Sequence, residues 1–227
     1  MRMLTVAAIL ALSFTGSAIA ETTFASRNSV DLVRVLPAPP AEQSDAQKVD
    51  LQAVLDAQTR RSAEQAAAAQ KESDLTVFQF ASVLGQQFNP EKLPKTAVFF
   101  SHVYDDCIDI LGSAKDRWKR PRPFVNNAEI QPAGERPKSA SYPSGNSLLG
   151  YTYAIILAEM LPEKHDEIFS KGVDIGDARV IAGVHYPSDV AAGRLAAVEI
   201  ASALARSPLY KGEFEEARAE LRTLLRQ

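Results

Sequence analysis

The chain has 227 residues, 46% of them hydrophobic and 23% charged, the balance of an ordinary globular protein of one domain or at most two. Lys and Arg number 25 against 28 Asp and Glu, a net charge of -3, so no global positive field exists to hold nucleic acid or an anionic membrane, and any anion site must be a local cluster. A single cysteine, Cys107, excludes an intrachain disulfide framework and every zinc or iron–sulfur site built on paired thiolates. Metals would have to rely on three His and the carboxylates.

Residues 1–20 read as a secretory signal peptide: Met-Arg-Met, an apolar run from Leu4 to Phe14, then a small-residue stretch ending in Ala18 and Ala20. Cleavage there would begin the mature chain at Glu21 and, with Arg2 gone, take the net charge from -3 to -4. The expected compartment is the periplasm or the cell exterior. No later stretch approaches the roughly 18 continuous apolar residues of a membrane helix, since Leu148 to Leu161 is interrupted by Thr152 and Glu159.

Residues 21–43 carry Pro37, Pro39 and Pro40 among polar residues, which predicts an extended, poorly ordered arm. A domain is expected from 44 to the C-terminus. Ser44 with Gln47 resembles a capping box, and Val49, Leu51, Val54 and Leu55 then recur at helical spacing, so a helix is expected from near Asp45. The Ala66–Ala69 tract favours helix, and an apolar stripe of Leu75, Val77, Phe78, Phe80, Ala81 and Leu84 continues to Gly85. Pro94 opens a further periodic segment, with Val98, Phe99, Val103, Ile108 and Ile110, that Gly112 is expected to stop. Residues 113–143, rich in Pro, Lys and Arg, read as a long loop. Helices are then expected from Ser144 to Leu161, from Pro162 to about Ala182, from Ser188 to Ala205 and from about Phe214 to Arg226. Strand-like alternation is absent, so the fold class is all-α, a helical bundle.

Three segments hold the unusual residues: Lys115 to Pro123 with Arg122, then Tyr142 to Ser147, then Asp177 to Asp189 with Arg179 and His185. The 18 residues of the helix from Ser144 to Leu161 span about 27 Å, and a following helix of similar length must return antiparallel after Pro162. Arg179 and His185 are thereby brought back to the end at which Ser144 begins, and the loop carrying Lys115 and Arg122 enters that same helix. Pro143-Ser144-Gly145 opens a helix whose unpaired N–H groups form an anion cradle, and Lys115, Arg122 and Arg179 supply charge suited to a phosphoryl dianion. His185 and Asp189 straddle Pro187, so a carboxylate in the first helical turn can hold Nδ1–H and leave Nε2 as nucleophile or base. Attack on phosphorus to give a phosphohistidine is the chemistry that such a set suits.

Lys115 to Pro123, Pro143 to Gly145, Arg179, His185 and Asp189 resemble, in register, the pattern Lys, six residues, Arg-Pro, then Pro-Ser-Gly-His, then Ser-Arg, five residues, His, three residues, Asp of the type-2 phosphatidic-acid phosphatase superfamily, which includes soluble bacterial class A nonspecific acid phosphatases and vanadium-dependent haloperoxidases. The resemblance implies a helical bundle of that type and a secreted, metal-independent phosphomonoesterase. His185 would be the nucleophile and Asp189 its orienter, with Lys115, Arg122, Ser144, Gly145 and Arg179 on the phosphoryl oxygens. No cofactor is implied, although phosphate or vanadate would fit the pocket. The implied partners are small phosphorylated substrates, not nucleic acid or a membrane interior, with a homo-oligomer compatible with the rest.

Two positions depart from the pattern: Ala178 stands where it has Ser, and Asn146 where it has His. By resemblance that His protonates the leaving oxygen and then activates water, and an Asn amide has no proton to give. The expectation is therefore a phosphatase impaired on alkyl phosphates at its Asn146 catalytic position. Its alternatives are a phosphate-binding protein with weakened catalysis, or a vanadium haloperoxidase. His102 and His165 read as structural or surface residues and Cys107 as a small buried hydrophobe, while Tyr142 and Asp177 flank the motifs at unassigned positions.

Overall fold

The computed structural model describes residues 23–71 and 73–225; the expected signal peptide lies outside them. In chain order the helices are α1 (Leu32–Val35), α2 (Asp45–Arg60), α3 (Ala63–Lys71), α4 (Ala81–Leu84), α5 (Pro94–Trp118), α6 (Pro123–Asn126), α7 (Gly145–Met160), α8 (His165–Ile181), α9 (Pro187–Leu204) and α10 (Pro208–Leu225). Short 3₁₀ turns precede α4 and α8, and no strand occurs among the described residues. The expected all-α bundle is what forms.

Helix α7 is the axis of the bundle. Eleven of its residues, among them Leu148, Leu149, Tyr153, Ile156, Leu157 and Met160, are buried, because it is apolar on all sides and packs against both α8 and α9. Glycines permit the close approach. A Cβ on Gly172 of α8 would sit 2.9 Å from the Gly150 carbonyl, and one on Gly193 of α9 would sit 2.6 Å from the Ser144 carbonyl and 2.8 Å from Ser147 Cβ. The small residue at 193 is therefore what lets the start of α9 lie directly on the start of α7.

Several boundaries differ from the sequence expectation. Gly112 does not stop α5, which runs six residues further and ends at Lys119 in the left-handed region (φ +47°). An interior glycine costs only about 1 kcal/mol, which burial of Ile110, Leu111 and Ala114 outweighs, so Lys115 lies on a helix rather than a loop. The stripe from Leu75 to Leu84 is broken into a 3₁₀ turn and the one-turn α4, closed by Gly85 at φ +92°. Helix α10 begins at Pro208, earlier than expected, since Tyr210 packs against Phe24, Phe99 and Phe214.

The arm at 23–43 is largely irregular yet well packed. Phe24, Ala25, Val30, Leu32 and Leu36 are buried, and the backbone N–H groups of Phe24 and Ala25 both donate to the Asp106 carboxylate (2.7 and 2.9 Å). Prolines remove the possibility of long helix without removing the apolar side chains that anchor the segment.

Because the carbonyl of Ser144 cannot yield like a flexible side chain, Gly193→Ala is expected to destabilise the fold by about 1 to 3 kcal/mol. Gly212→Ala, on an exposed helix with nothing within 4 Å of the new methyl, is expected to stabilise by about 0.5 to 1 kcal/mol. Urea unfolding of the two variants against the parent checks both signs.

Candidate active site

The C-terminal end of α5, the loop from 119 to 144, the start of α7 and the junction of α8 with α9 converge at one end of the bundle. Four features of the local sequence bring this about. Ser144 caps α7 by accepting the Ser147 N–H (3.3 Å) and hands its own N–H to the Asp189 carbonyl (3.0 Å). After α8, Gly183 turns the chain at φ +75°, where a side chain would be strained. The Arg179 carbonyl receives the N–H groups of Val184 (3.1 Å) and His185 (3.3 Å). Pro187 then starts α9, so that Asp189 stands in its first turn and accepts the Tyr186 N–H at 2.9 Å.

His185, 2% exposed, places Nδ1 3.2 Å from Asp189 Oδ2 and Nε2 3.2 Å from Arg122 Nη1. Arginine can only donate, so Nε2 is the acceptor and Nδ1 carries the hydrogen toward Asp189. The tautomer is thus fixed from both sides, with the Nε2 lone pair directed at the cationic cluster. Arg122 is itself clamped by the carbonyls of Ser139 (2.8 Å) and Val184 (2.8 Å) and by the Ser139 hydroxyl (3.1 Å). Lys115 Nζ donates to the Ala140 carbonyl at 2.6 Å, and Arg179 is buried beside this end of the bundle. Gly145 and Asn146, both half-buried, form the edge of the α7 N-terminus, and the Asn146 amide donates to the Ser73 carbonyl (3.3 Å).

Two residues absent from the sequence expectation complete the arrangement. Arg120, also buried, donates to Asp189 Oδ1 (2.6 Å) and Asp50 Oδ2 (2.8 Å), reaches Ser188 Oγ (2.7 Å) and lies 4.0 Å over the Tyr186 ring. Ser141 Oγ donates to Asp189 Oδ2 at 2.5 Å. A signal for Arg120 was present: in Arg120-Pro121-Arg122-Pro123 the residue preceding each proline is held extended, so the two arginines share a face. Nothing in the sequence marks Ser141 or Asp50. Of the two unassigned flanking residues, neither reaches the cluster: Tyr142 donates its phenol to the Pro37 carbonyl, and Asp177 pairs with Arg194 (2.6 Å). His102 pairs with Glu213 (2.9 Å), His165 sits on the surface with Asp166, and Cys107 is buried.

Cations gather at this end of the bundle: Lys115, Arg120, Arg122 and Arg179, with Arg120 paired to Asp50 and Asp189. Burial shows in the titration of Lys115 and Arg122. Burial and the neighbouring Arg122 pull Lys115 down to about 7, and burial pulls Arg122 down to about 10. Burial, opposed by Asp189 and reinforced by Arg122 and Lys115, pulls His185 down to about 4. For Asp189 burial pushes upward, but the hydrogen bond from His185, the charge of Arg120 and the Ser141 bond outweigh it and hold the carboxyl below its usual range. A dianion is the ligand that Lys115 and Arg122, side by side and held low, would suit. An open cleft of about 550 Å³ lies against Lys115 and Arg122, whereas two larger depressions of about 640 Å³ contain no residue of the cluster.

The unfolded chain protonates His185 near 6.5 and the folded protein only near 4, so between these values the unfolded state binds the extra proton and stability falls as pH falls. From pH 7 to pH 4.5 this group removes about 2 to 3 kcal/mol. Urea midpoints in phosphate-free buffer should show the loss in the parent and a flatter profile in His185→Gln.

Comparison with known proteins now bears on this geometry. Residues 96–213 match the model of the PAP2 superfamily. A non-specific acid phosphatase of Salmonella typhimurium is 30% identical over 94% of this chain and 89% of its own, and an acid phosphatase of Zymomonas mobilis is 31% identical over 84% and 75%. Among solved structures, a bacterial vanadium-dependent iodoperoxidase superposes with a TM-score of 0.59 at 17% identity, covering 76% of this chain and 52% of that one. A transmembrane PAP2-type phosphatidylglycerolphosphate phosphatase from Bacillus subtilis does so with 0.52 at 19%, covering 77% and 89%. Those two share the fold, and no helix among the described residues is long and apolar enough to cross a membrane. With the motif register, the bundle and these relatives in agreement, the chain belongs to the PAP2 superfamily.

Proposed function

We propose that the protein is a secreted phosphomonoesterase, acting without a metal through a phosphohistidine formed on His185. The observation that carries this reading is the doubly fixed His185 ring, with Nδ1–H on Asp189 and the Nε2 lone pair directed at Arg122, beside which Lys115 stands. In the first step Nε2 attacks phosphorus, the P–O bond to the leaving group breaks, and its electron pair departs with the alcohol oxygen. The imidazolium character so created is stabilised by Asp189, which Arg120 and Ser141 hold in place. Lys115, Arg122, Arg179, the Ser144 hydroxyl and the Gly145 N–H bind the non-bridging oxygens, where charge spreads in the transition state. In the second step water attacks phosphorus, the P–N bond breaks, and phosphate and neutral His185 are regenerated. Secretion rests on the leader-like residues 1–20, and the relatives' printed names support the substrate class.

Asn146 occupies the position from which a proton would reach the leaving oxygen and from which water would be activated. Its amide cannot do either, so both steps lack general acid–base help worth about 10²- to 10⁴-fold. Aryl phosphates, whose leaving groups need little protonation, are affected less in the first step. The same observation favours a second reading, a phosphate-binding protein in which turnover has decayed, and one comparison separates the two. The parent is expected to hydrolyse p-nitrophenyl phosphate and to be slow on an alkyl phosphate, while Asn146→His raises alkyl phosphate turnover at least about 100-fold. Phosphate binding with no turnover of either ester would leave only the binding protein, and fast alkyl turnover by the parent would refute the role given to position 146.

The pH profile provides a separate check. His185 must be neutral to attack, and Lys115 binds the dianion best when protonated, so kcat/KM for the free enzyme should fall below about pH 4 and again above about pH 7. Lys115→Arg, which keeps its charge, is expected to move the upper limb toward higher pH. An unmoved limb would assign it to another group.

A further inference from the structure

The 550 Å³ cleft carries more positive charge than one phosphoryl group requires. Its inner wall is Lys115 and Arg122, which also serve the buried cluster, and its outer wall holds two exposed lysines, Lys119 and Lys138, neither of which has an ion-pair partner among the described residues. Its one acidic residue, Asp116, is already paired with Arg27 at 2.9 Å. Lys119 is also the one described non-glycine residue at positive φ, a position at which a helix end is normally closed by glycine. A long cation is therefore held where turn chemistry would favour a residue without a side chain. The cleft meets the proposed phosphoryl site through Lys115 and Arg122, so a leaving group long enough to pass Asn146 and follow these two cations outward reaches Lys119 and Lys138.

We propose that the cleft is a second anion subsite, built on Lys119 and Lys138, which selects phosphomonoesters whose leaving group carries a further anionic group. The inference rests on the phosphomonoesterase reading for where the first phosphoryl group sits, and adds the chemistry of the other end of the substrate. Val125, 66% exposed at the rim, provides apolar contact for the carbon spacer between the two anions.

Calorimetric binding of 4-carboxybenzylphosphonate and its uncharged 4-carbamoyl counterpart tests the subsite without requiring turnover. The parent is expected to bind the carboxylate about tenfold more tightly at low salt, with the preference shrinking as salt screens the exposed lysines. In Lys119→Gly combined with Lys138→Ser the two ligands should bind within about twofold of each other. Glycine accepts the backbone at 119, and both side chains are exposed, so these changes do not threaten the fold. Equal affinity in the parent, a preference indifferent to salt, or one that survives in the double variant would each overturn the subsite. p-Nitrophenyl phosphate turnover by the same parent sample keeps the two ideas apart. Turnover without a binding preference removes the subsite and leaves the phosphatase, while a binding preference without turnover does the reverse.

Discussion

Asp189 carries a carboxylate with no solvent exposure, a placement that costs several kcal/mol unless each oxygen is met by donors, and its donors come from three separate stretches of the chain. Oδ1 is met by Arg120 from the loop after α5. Oδ2 is met by the His185 ring, the Tyr186 N–H and the Ser141 hydroxyl from the segment that enters α7. Through Arg120 the same carboxylate is tied to Asp50 on α2, and through its own carbonyl it fixes the N–H of Ser144 at the start of α7. The need to satisfy one buried charge thus aligns the loop, two helix starts and the nucleophile candidate at once. Satisfying a buried polar network completely is also what makes it rigid, and rigidity at His185 is what the proposed attack requires.

Packing and electrostatics are interdependent here. Gly193 lets α9 descend onto the first turn of α7, which is the contact that brings Asp189 within reach of Ser144. Had α9 carried even a methyl group at 193, the two helix starts would stand apart, and the Ser144 N–H would no longer be held by the Asp189 carbonyl. The glycine is thus a site residue by geometry while having no chemistry of its own.

How much of this could be read from the chain follows from what each residue type signals. His185 and Asp189 were legible because Pro187 fixes the helix start between them, and Lys115, Arg122 and Arg179 because two helix lengths return them to one end. Arg120 was hidden by its neighbours: beside Arg122, Lys119 and Arg117 it looks like one more solvated cation, and its burial depends on Asp50 arriving from 70 residues away. The stop expected at Gly112 failed because a glycine penalty of about 1 kcal/mol is local, whereas the burial that carries α5 onward is tertiary. The arm was read as loose for a related reason: prolines speak to backbone conformation, and the pocket that receives Phe24 is built by α5 and α10.

Among the residues that surround His185, those that bind and those that move protons are held differently. Arg122, Arg120 and Asp189 are clamped by several short bonds each, so in the proposed cycle the Arg122 bond to Nε2 is the one that must give way before attack. Asn146 stands at the edge of the cluster with its amide on a backbone carbonyl, a bond that an uncharged donor makes at any pH. In the proposed cycle an amide at this position keeps its donor at every pH but withdraws proton transfer from the site. The first step is then spared for esters with a good leaving group, whereas the second, common to every ester, awaits a water that nothing at position 146 deprotonates.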